Sequence, residues 1–188
     1  TLIGSEGANV DCVDLNGADN LTLKYINFDA ATAKMCYDGK GNAKQLANII
    51  SGSTSKCNKG AYNLVIEGCT FTGTFANGGA AIAFTDQNRI TGQSRNITIK
   101  NCTFEAINSY YHIYGHYFGG GEMNILNNIF ETETRGKNIY LGRYQSSVPV
   151  EVNDNTFMTA TSLENAIYLQ DHGNYGVSIN ASNNTFAN

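Results

Sequence analysis

One short pattern of apolar and polar positions returns six times along the chain. Leu21-Thr-Leu-Lys-Tyr-Ile-Asn-Phe28, Leu64-Val-Ile-Glu-Gly-Cys-Thr-Phe71 and Ile97-Thr-Ile-Lys-Asn-Cys-Thr-Phe104 share it: apolar, any, apolar, four mostly small or polar residues, then Phe. Met123 to Phe130, Val150 to Phe157 and Ile179 to Phe186 repeat it. Successive Phe residues stand 43, 33, 26, 27 and 29 positions apart, a short and variable interval that fits a coil with insertions rather than a propeller blade. A second, weaker template follows some ten residues after each Phe: Ile82-Ala-Phe84, Ile113-Tyr-Gly115, Ile139-Tyr-Leu141 and Ile167-Tyr-Leu169, with Val13-Asp-Leu15 belonging to it. Both templates alternate apolar and polar residues at period two, so each repeat carries at least two short strands. Helical spacing is confined to Ala43-Lys-Gln-Leu-Ala-Asn-Ile-Ile50, which predicts a short helix inside the longest insertion, about 29–61. Like residues recurring at like places must stack, each strand bonding to the one a turn away at ~4.8 Å. The expected fold is all-β: a single parallel β-helix of about six coils spanning 1–188.

The columns of this coil can be read in advance. The six Phe residues are core, each ring resting on the ring a turn away. Two positions before Phe the column runs Ile26, Cys69, Cys102, Asn128, Asn155 and Asn184, and its lower half reads as an internal amide ladder that fixes register. Lys24, Glu67 and Lys100 face outward with alternating sign. Asn20, Asn63 and Asn96 precede the first strand, where tolerance of unusual backbone angles suits a tight corner. Cys69 and Cys102 share a column, either as stacked buried thiols or as a bond, while Cys36 and Cys57 bracket the insertion and could bridge it. Five Cys leave at least one thiol free, so no disulfide framework is expected.

Composition narrows the partners. With 12 Lys plus Arg against 16 Asp plus Glu, the chain lacks the basic surface that phosphate backbones require, which argues against nucleic acid. No apolar run approaches the ~20 residues needed to cross a bilayer, so membrane insertion is not expected. The chain begins within one strand template and stops almost at the last Phe, and so reads as a segment of a larger protein with adjoining domains.

The repeated Ile-x-Ile-x-x-Asn-x-Phe pattern, the Asn residues at turns and the initial Thr-Leu-Ile-Gly resemble the right-handed parallel β-helix repeats of the pectate-lyase-like superfamily. The resemblance covers nearly the whole chain. It implies a right-handed coil and a secreted or cell-surface setting, and leaves the chemistry open, because that superfamily holds lyases, hydrolases, esterases, tailspikes and non-catalytic surface proteins.

The outward position of the second template carries Ala83, Tyr114, Tyr140 and Tyr168, so three Tyr rings are expected on one outer wall. Two residues further lie Thr85, His116, Gly142 and Gln170, then Asp86, Tyr117, Arg143 and Asp171. Aromatic faces beside hydrogen-bonding side chains suit sugar rings, which predicts a glycan-binding site of Tyr114, Tyr140, Tyr168 and Gln170. The same stack could equally serve to stabilise the wall. Tyr110, Tyr111, Tyr144 and Tyr175 add to the local aromatic density. The alternative expectation is a polysaccharide lyase or hydrolase, or a fragment of one, acting on uronate polymers. In that reading His116 is the base, Arg143 binds the carboxylate and Asp171 lies beside them. A third is a structural spacer in an adhesin. Polysaccharide lyases of the superfamily use carboxylate-bound calcium, but no outward Asp cluster supplies the several hard oxygen ligands calcium takes, so no cofactor is expected. The pectin-hydrolase signatures are matched only in part, by Gly115-His116-Tyr117 and Asp171-His172-Gly173.

Overall fold

The computed structural model describes residues 1–4, 9–10, 13–15, 17–37, 43–51, 61–76, 78–85, 95–116, 121–132, 134–142, 148–158, 166–170 and 178–187. The chain is a parallel β-solenoid with three walls, visited in the same order on each turn. The first wall stacks seven strands: Leu2–Ile3, Thr22–Lys24, Tyr62–Glu67, Arg95–Lys100, Met123–Leu126, Val150–Asn153 and Ile179–Ser182. The second stacks Asn9–Val10, Asn27–Asp29, Thr70–Thr72, Thr103–Phe104, Ile129–Phe130, Thr156–Phe157 and Thr185–Phe186. The third runs through Val13–Asp14, Ala43–Ser51, Gly79–Thr85, Tyr111–His116, Lys137–Gly142 and Ile167–Gln170. The Phe-bearing half of the main template is thus a wall of its own, making three strands per turn rather than two.

The predicted helix over 43–50 is a strand instead. Ala43–Ser51 pairs in parallel with the third-wall strand above it, Ala47 opposite Gly79 and Ile50 opposite Ile82, and in antiparallel fashion with Lys34–Tyr37. Ile49 and Ile50 complete apolar columns already set by neighbouring turns and are fully buried. A wall that offers a full ladder of backbone partners overrides a weak helical preference. A 3-10 turn stands at Ala30–Thr32, capped by the Asp29 carboxylate, which accepts from the Ala31 N–H.

The column register is set by the core. Phe28, Phe71, Phe104, Phe130, Phe157 and Phe186 stack with centroid spacings of 5.2, 4.8, 4.8, 4.7 and 5.3 Å and interplanar angles of 13° or less. Leu64, Ile66, Ile97, Ile99, Met123, Ile125, Val150 and Val152 fill the space opposite from the first wall, all buried. Beside the rings runs the amide ladder. The backbone N–H and side-chain Nδ2 of Asn128 both donate to Asn155 Oδ1, at 2.9 and 3.0 Å, and those of Asn155 donate to Asn184 Oδ1 at 3.0 and 3.1 Å. Each Nδ2 also reaches a first-wall carbonyl, at Ile99, Ile125 and Val152 respectively. Above it, the Cys102 N–H donates to Asn128 Oδ1, and Cys102 and Cys69 continue the column as free, buried thiols. Cys12, Cys57 and the Cys36 side chain lie outside the described residues. Replacing Asn155 with Leu keeps the branching of the side chain but strips an acceptor from the buried Asn128 N–H and a donor from the Ile125 carbonyl. A loss of about 2–3 kcal/mol in urea unfolding is expected, with each unpaired buried group costing about 1–3 kcal/mol. An unchanged midpoint would show that the ladder is not what fixes register.

Two corners per turn use the left-handed backbone region. Asn20, Asn63 and Asn96 have φ of 54°, 50° and 53°, and Asn101, Asn127, Asp154 and Asn183 repeat the device at the next bend. Asn and Asp tolerate this conformation because their short side chains bond locally. Here they also bond to one another between turns: Asn96 Nδ2 donates to Asn63 Oδ1 and Asn63 Nδ2 to Asp19 Oδ1. At Gly121, φ is 73° and a Cβ would run into the Asn96 side chain, so a larger residue here is strained. On the outer surface Lys24 and Lys100 flank Glu67 at 2.7 and 3.4 Å. The Lys24 ammonium holds the Glu67 carboxyl below its usual range, and such exposed pairs contribute little to stability.

Candidate functional site

The third wall positions the expected site. Ile82, Ile113, Ile139 and Ile167 align in one inward column, so the next residue of each strand points out. That outward row is Ala83, Tyr114, Tyr140 and Tyr168, in register across four turns. Tyr114 and Tyr140 have ring centroids 5.0 Å apart, and Tyr140 and Tyr168 5.3 Å. All three rings are partly exposed.

The stack has a fourth member that the alternation rule misses. Two consecutive buried residues, His112-Ile113 and Asn138-Ile139, break the alternation where these strands begin. Tyr111 is thereby carried to the same side as Tyr114, with centroids 4.7 Å apart and an interplanar angle of 24°. The sequence carries no signal for this, since strict alternation puts Tyr111, three positions before Tyr114, on the opposite face. Lys137 then places its Nζ 5.5 Å from the centre of the Tyr168 ring, and Arg135 lies 5.7 Å from that of exposed Tyr110.

This geometry changes what the wall can offer. Tyr111, Tyr114 and Tyr140 pack as a triangle, with centroids 4.7, 5.0 and 5.3 Å apart, and Tyr168 stacks on Tyr140 at 5.3 Å, so Tyr140 contacts all three of the others. The wall therefore offers a ridge of mutually packed, partly exposed rings rather than a row of separate ring faces. The Tyr140 hydroxyl donates to Gln170 Oε1. Burial, reinforced by Tyr111 and Tyr168, pushes the Tyr140 phenol up to about 12, and burial raises Tyr111 too. Both stay protonated at neutral pH and remain hydrogen-bond donors as well as acceptors.

The other expected residues divide. His116 stands in backbone register between Thr85 and Gly142, with Gln170 one strand further, as the template required; its side chain lies outside the described residues. Arg143, Asp171 and His172 lie outside them as well, as do Asp86, Tyr117, Tyr144 and Tyr175. His112 points into the core, against the stacked Phe104 and Phe130 rings, with ring centroids at 5.5 and 5.7 Å. Its Nε2 lies 3.2 Å from Thr132 Oγ1, whose own proton goes to the Ala106 carbonyl, so Nε2–H is the donor of that pair. Burial drives the His112 imidazole down to about 3, outweighing the opposing influence of the neighbouring Asn138 side chain and Ala106 backbone, so the ring is neutral. It is a core residue rather than a base. Among the described residues no group of three or more His, Cys, Asp or Glu is placed to hold a metal ion, and no helix is long and apolar enough to cross a membrane.

Fold and surface together define a parallel β-solenoid with a tyrosine ridge on one wall. No protein-family model matches the chain, and no curated protein and no solved structure matches it.

Proposed function

We propose that this protein is a secreted or cell-surface β-solenoid module that binds a glycan along the tyrosine ridge. One observation carries the reading: tyrosine rings from three successive turns pack together on the outer wall beside a hydrogen-bonding amide, with the Tyr140 hydroxyl donating to Gln170. Packed aromatics alone would stabilise the wall without phenol groups, and Phe fills that role on the second wall. Here the type is Tyr in three consecutive turns. A row of hydroxyls spaced by the rung repeat matches a polymer whose own hydroxyls repeat along its length, and Lys137 adds a donor at the edge. The repeat's resemblance to the pectate-lyase-like superfamily supports a polysaccharide as the ligand.

A glycan array probed with the labelled chain tests this. Against a retained glycan, Tyr140→Phe keeps the ring and loses the hydroxyl, and should weaken binding by about three- to tenfold, the worth of one neutral hydrogen bond. Tyr140→Ala should weaken it further. Binding that ignores both changes, or an array with no glycan above background, would remove the ridge from the function.

A further inference from the structure

We infer that Cys69 and Cys102 are a peroxide-sensitive thiol pair that closes a disulfide between two successive turns, inside the core. The two stand at the same point of adjacent rungs. Glu67 pairs with Lys100 two residues before them, Thr70 pairs with Thr103 one residue after, and the Thr103 N–H donates to the Cys69 carbonyl at 3.0 Å. Both side chains are buried, and both thiols are free. Strands in register stand ~4.8 Å apart. That lies inside the range of about 4.4–6.8 Å that a disulfide spans between its two α-carbons. Each sulfur is within hydrogen-bonding reach of the other.

Little holds the two thiols in their reduced form. Lower in the same column, the Nδ2 groups of Asn128, Asn155 and Asn184 reach first-wall carbonyls at 3.0, 2.9 and 2.7 Å. The equivalent carbonyls above them, Leu23 and Ile66, lie 3.7 Å from Sγ of Cys69 and of Cys102. The remaining neighbours are the Glu67 carbonyl, 3.5 Å from Cys69 Sγ, and the Lys100 carbonyl, 3.3 Å from Cys102 Sγ. An S–H is a weak donor with one proton to give, so little hydrogen bonding is lost when that proton leaves. The pair is also asymmetric. The hydrogen bond to Cys69, together with burial, raises the Cys102 thiol, and the same bond lowers that of Cys69. Cys69 is thus the sulfur that ionises first, and Cys102 the one that keeps its proton.

The co-reactant is hydrogen peroxide. The Cys69 thiolate attacks one peroxide oxygen, the O–O bond breaks, and Cys69 becomes a sulfenic acid while hydroxide takes up the proton that Cys69 released. The Cys102 sulfur then attacks Cys69 Sγ. The S–O bond breaks, and the departing hydroxide leaves with the Cys102 proton as water. Two electrons pass from two thiols to the O–O bond, giving one disulfide and two waters. Peroxide enters by local opening at the Gly68 bend beside Cys69, so the reaction is slow. The new bond joins residues 33 positions apart and shrinks the unfolded ensemble. Oxidation therefore locks the interface of these two turns, and a thiol reductant releases it.

The test treats the full, folded chain with hydrogen peroxide after it has been reduced and freed of reductant. Once the remaining thiols are blocked with N-ethylmaleimide, mass spectrometry of a digest should find the peptides bearing Cys69 and Cys102 joined, with two hydrogens lost. The urea midpoint should rise by about 1 M or more over that of the reduced chain, and dithiothreitol should reverse both changes. In Cys102→Ala, dimedone should label Cys69 as the sulfenic acid and the midpoint should no longer respond to peroxide. Should that variant fail to fold, the joined peptides of the unaltered chain decide. Their absence from the folded chain, their formation only in urea, or a midpoint shift that persists in folded Cys102→Ala would overturn the inference.

Discussion

Phe104→Ala should be among the most damaging single changes in the molecule, lowering stability by about 3–5 kcal/mol in urea unfolding. The ring is buried between Phe71 and Phe130, both at 4.8 Å, and lies against His112. Truncation removes two stacked contacts and leaves a void that the backbone ladders on either side cannot close, because rung spacing is fixed by hydrogen bonding. The comparison is Phe186→Ala. That ring is stacked on one side only and partly exposed, so its loss should cost about 1 kcal/mol, near the worth of a single aromatic pair. Equal costs at the two sites would mean that the stack is not a cooperative core. A solenoid's stability is a sum of turn and neighbour-interface contributions, so the damage at Phe104 should fall on the turns directly around it.

Acid should destabilise the protein through His112. Its folded value of about 3 lies below the ordinary 6.5, so the unfolded chain binds a proton at a pH where the folded one does not. The sign follows: stability is greatest above 6.5, declines as pH falls from there, and this decline is complete at about 3. By pH 4 the contribution lost is about 3 kcal/mol, at about 1.4 kcal/mol per unit. Glu67, held down by Lys24, pulls in the same direction at lower pH, so the His112 share is isolated with His112→Asn, which places an amide beside Asn138. The variant should unfold with a shallower dependence on pH between 6.5 and 4. Parallel curves for the two proteins would show that the imidazole is not neutral in the fold.

The sequence disclosed the stacking better than the number of walls. Six Phe residues and the period-two runs before them identify columns because every turn repeats the same physical problem, burying one side of a short strand. The wall carrying Phe was hidden inside a template that looked like one strand, since the bend between Glu67 and Thr70, or between Lys100 and Thr103, is made by one left-handed residue and leaves the pattern unbroken. Ala43 to Ile50 misled for a related reason. Eight residues with two Ala and a Leu satisfy a helical spacing locally, and only the turns above and below decide that Ile50 belongs under Ile82. At the candidate site, Tyr114, Tyr140 and Tyr168 were legible from the Ile-Tyr dipeptides. Tyr111 was not, because its side is set by the inward turn of both His112 and Ile113. The direction of the ring faces was also beyond the sequence. It follows from aromatic rings at rung spacing, which leave no room for a guest between them.

The Asn and Phe columns also govern how the chain can change in length. Phe104, Phe130, Phe157 and Phe186 are separated by 26, 27 and 29 residues, and the differences are absorbed in the loops between the second and third walls and between the third and first. Loop residues can therefore be gained or lost one at a time, whereas the eight positions from the first apolar residue to Phe admit no insertion. A residue added between Asn155 and Phe157 would turn Phe157 to the opposite surface of its wall, breaking the ring column before the following loop could restore register. The core columns can therefore be extended only by whole rungs.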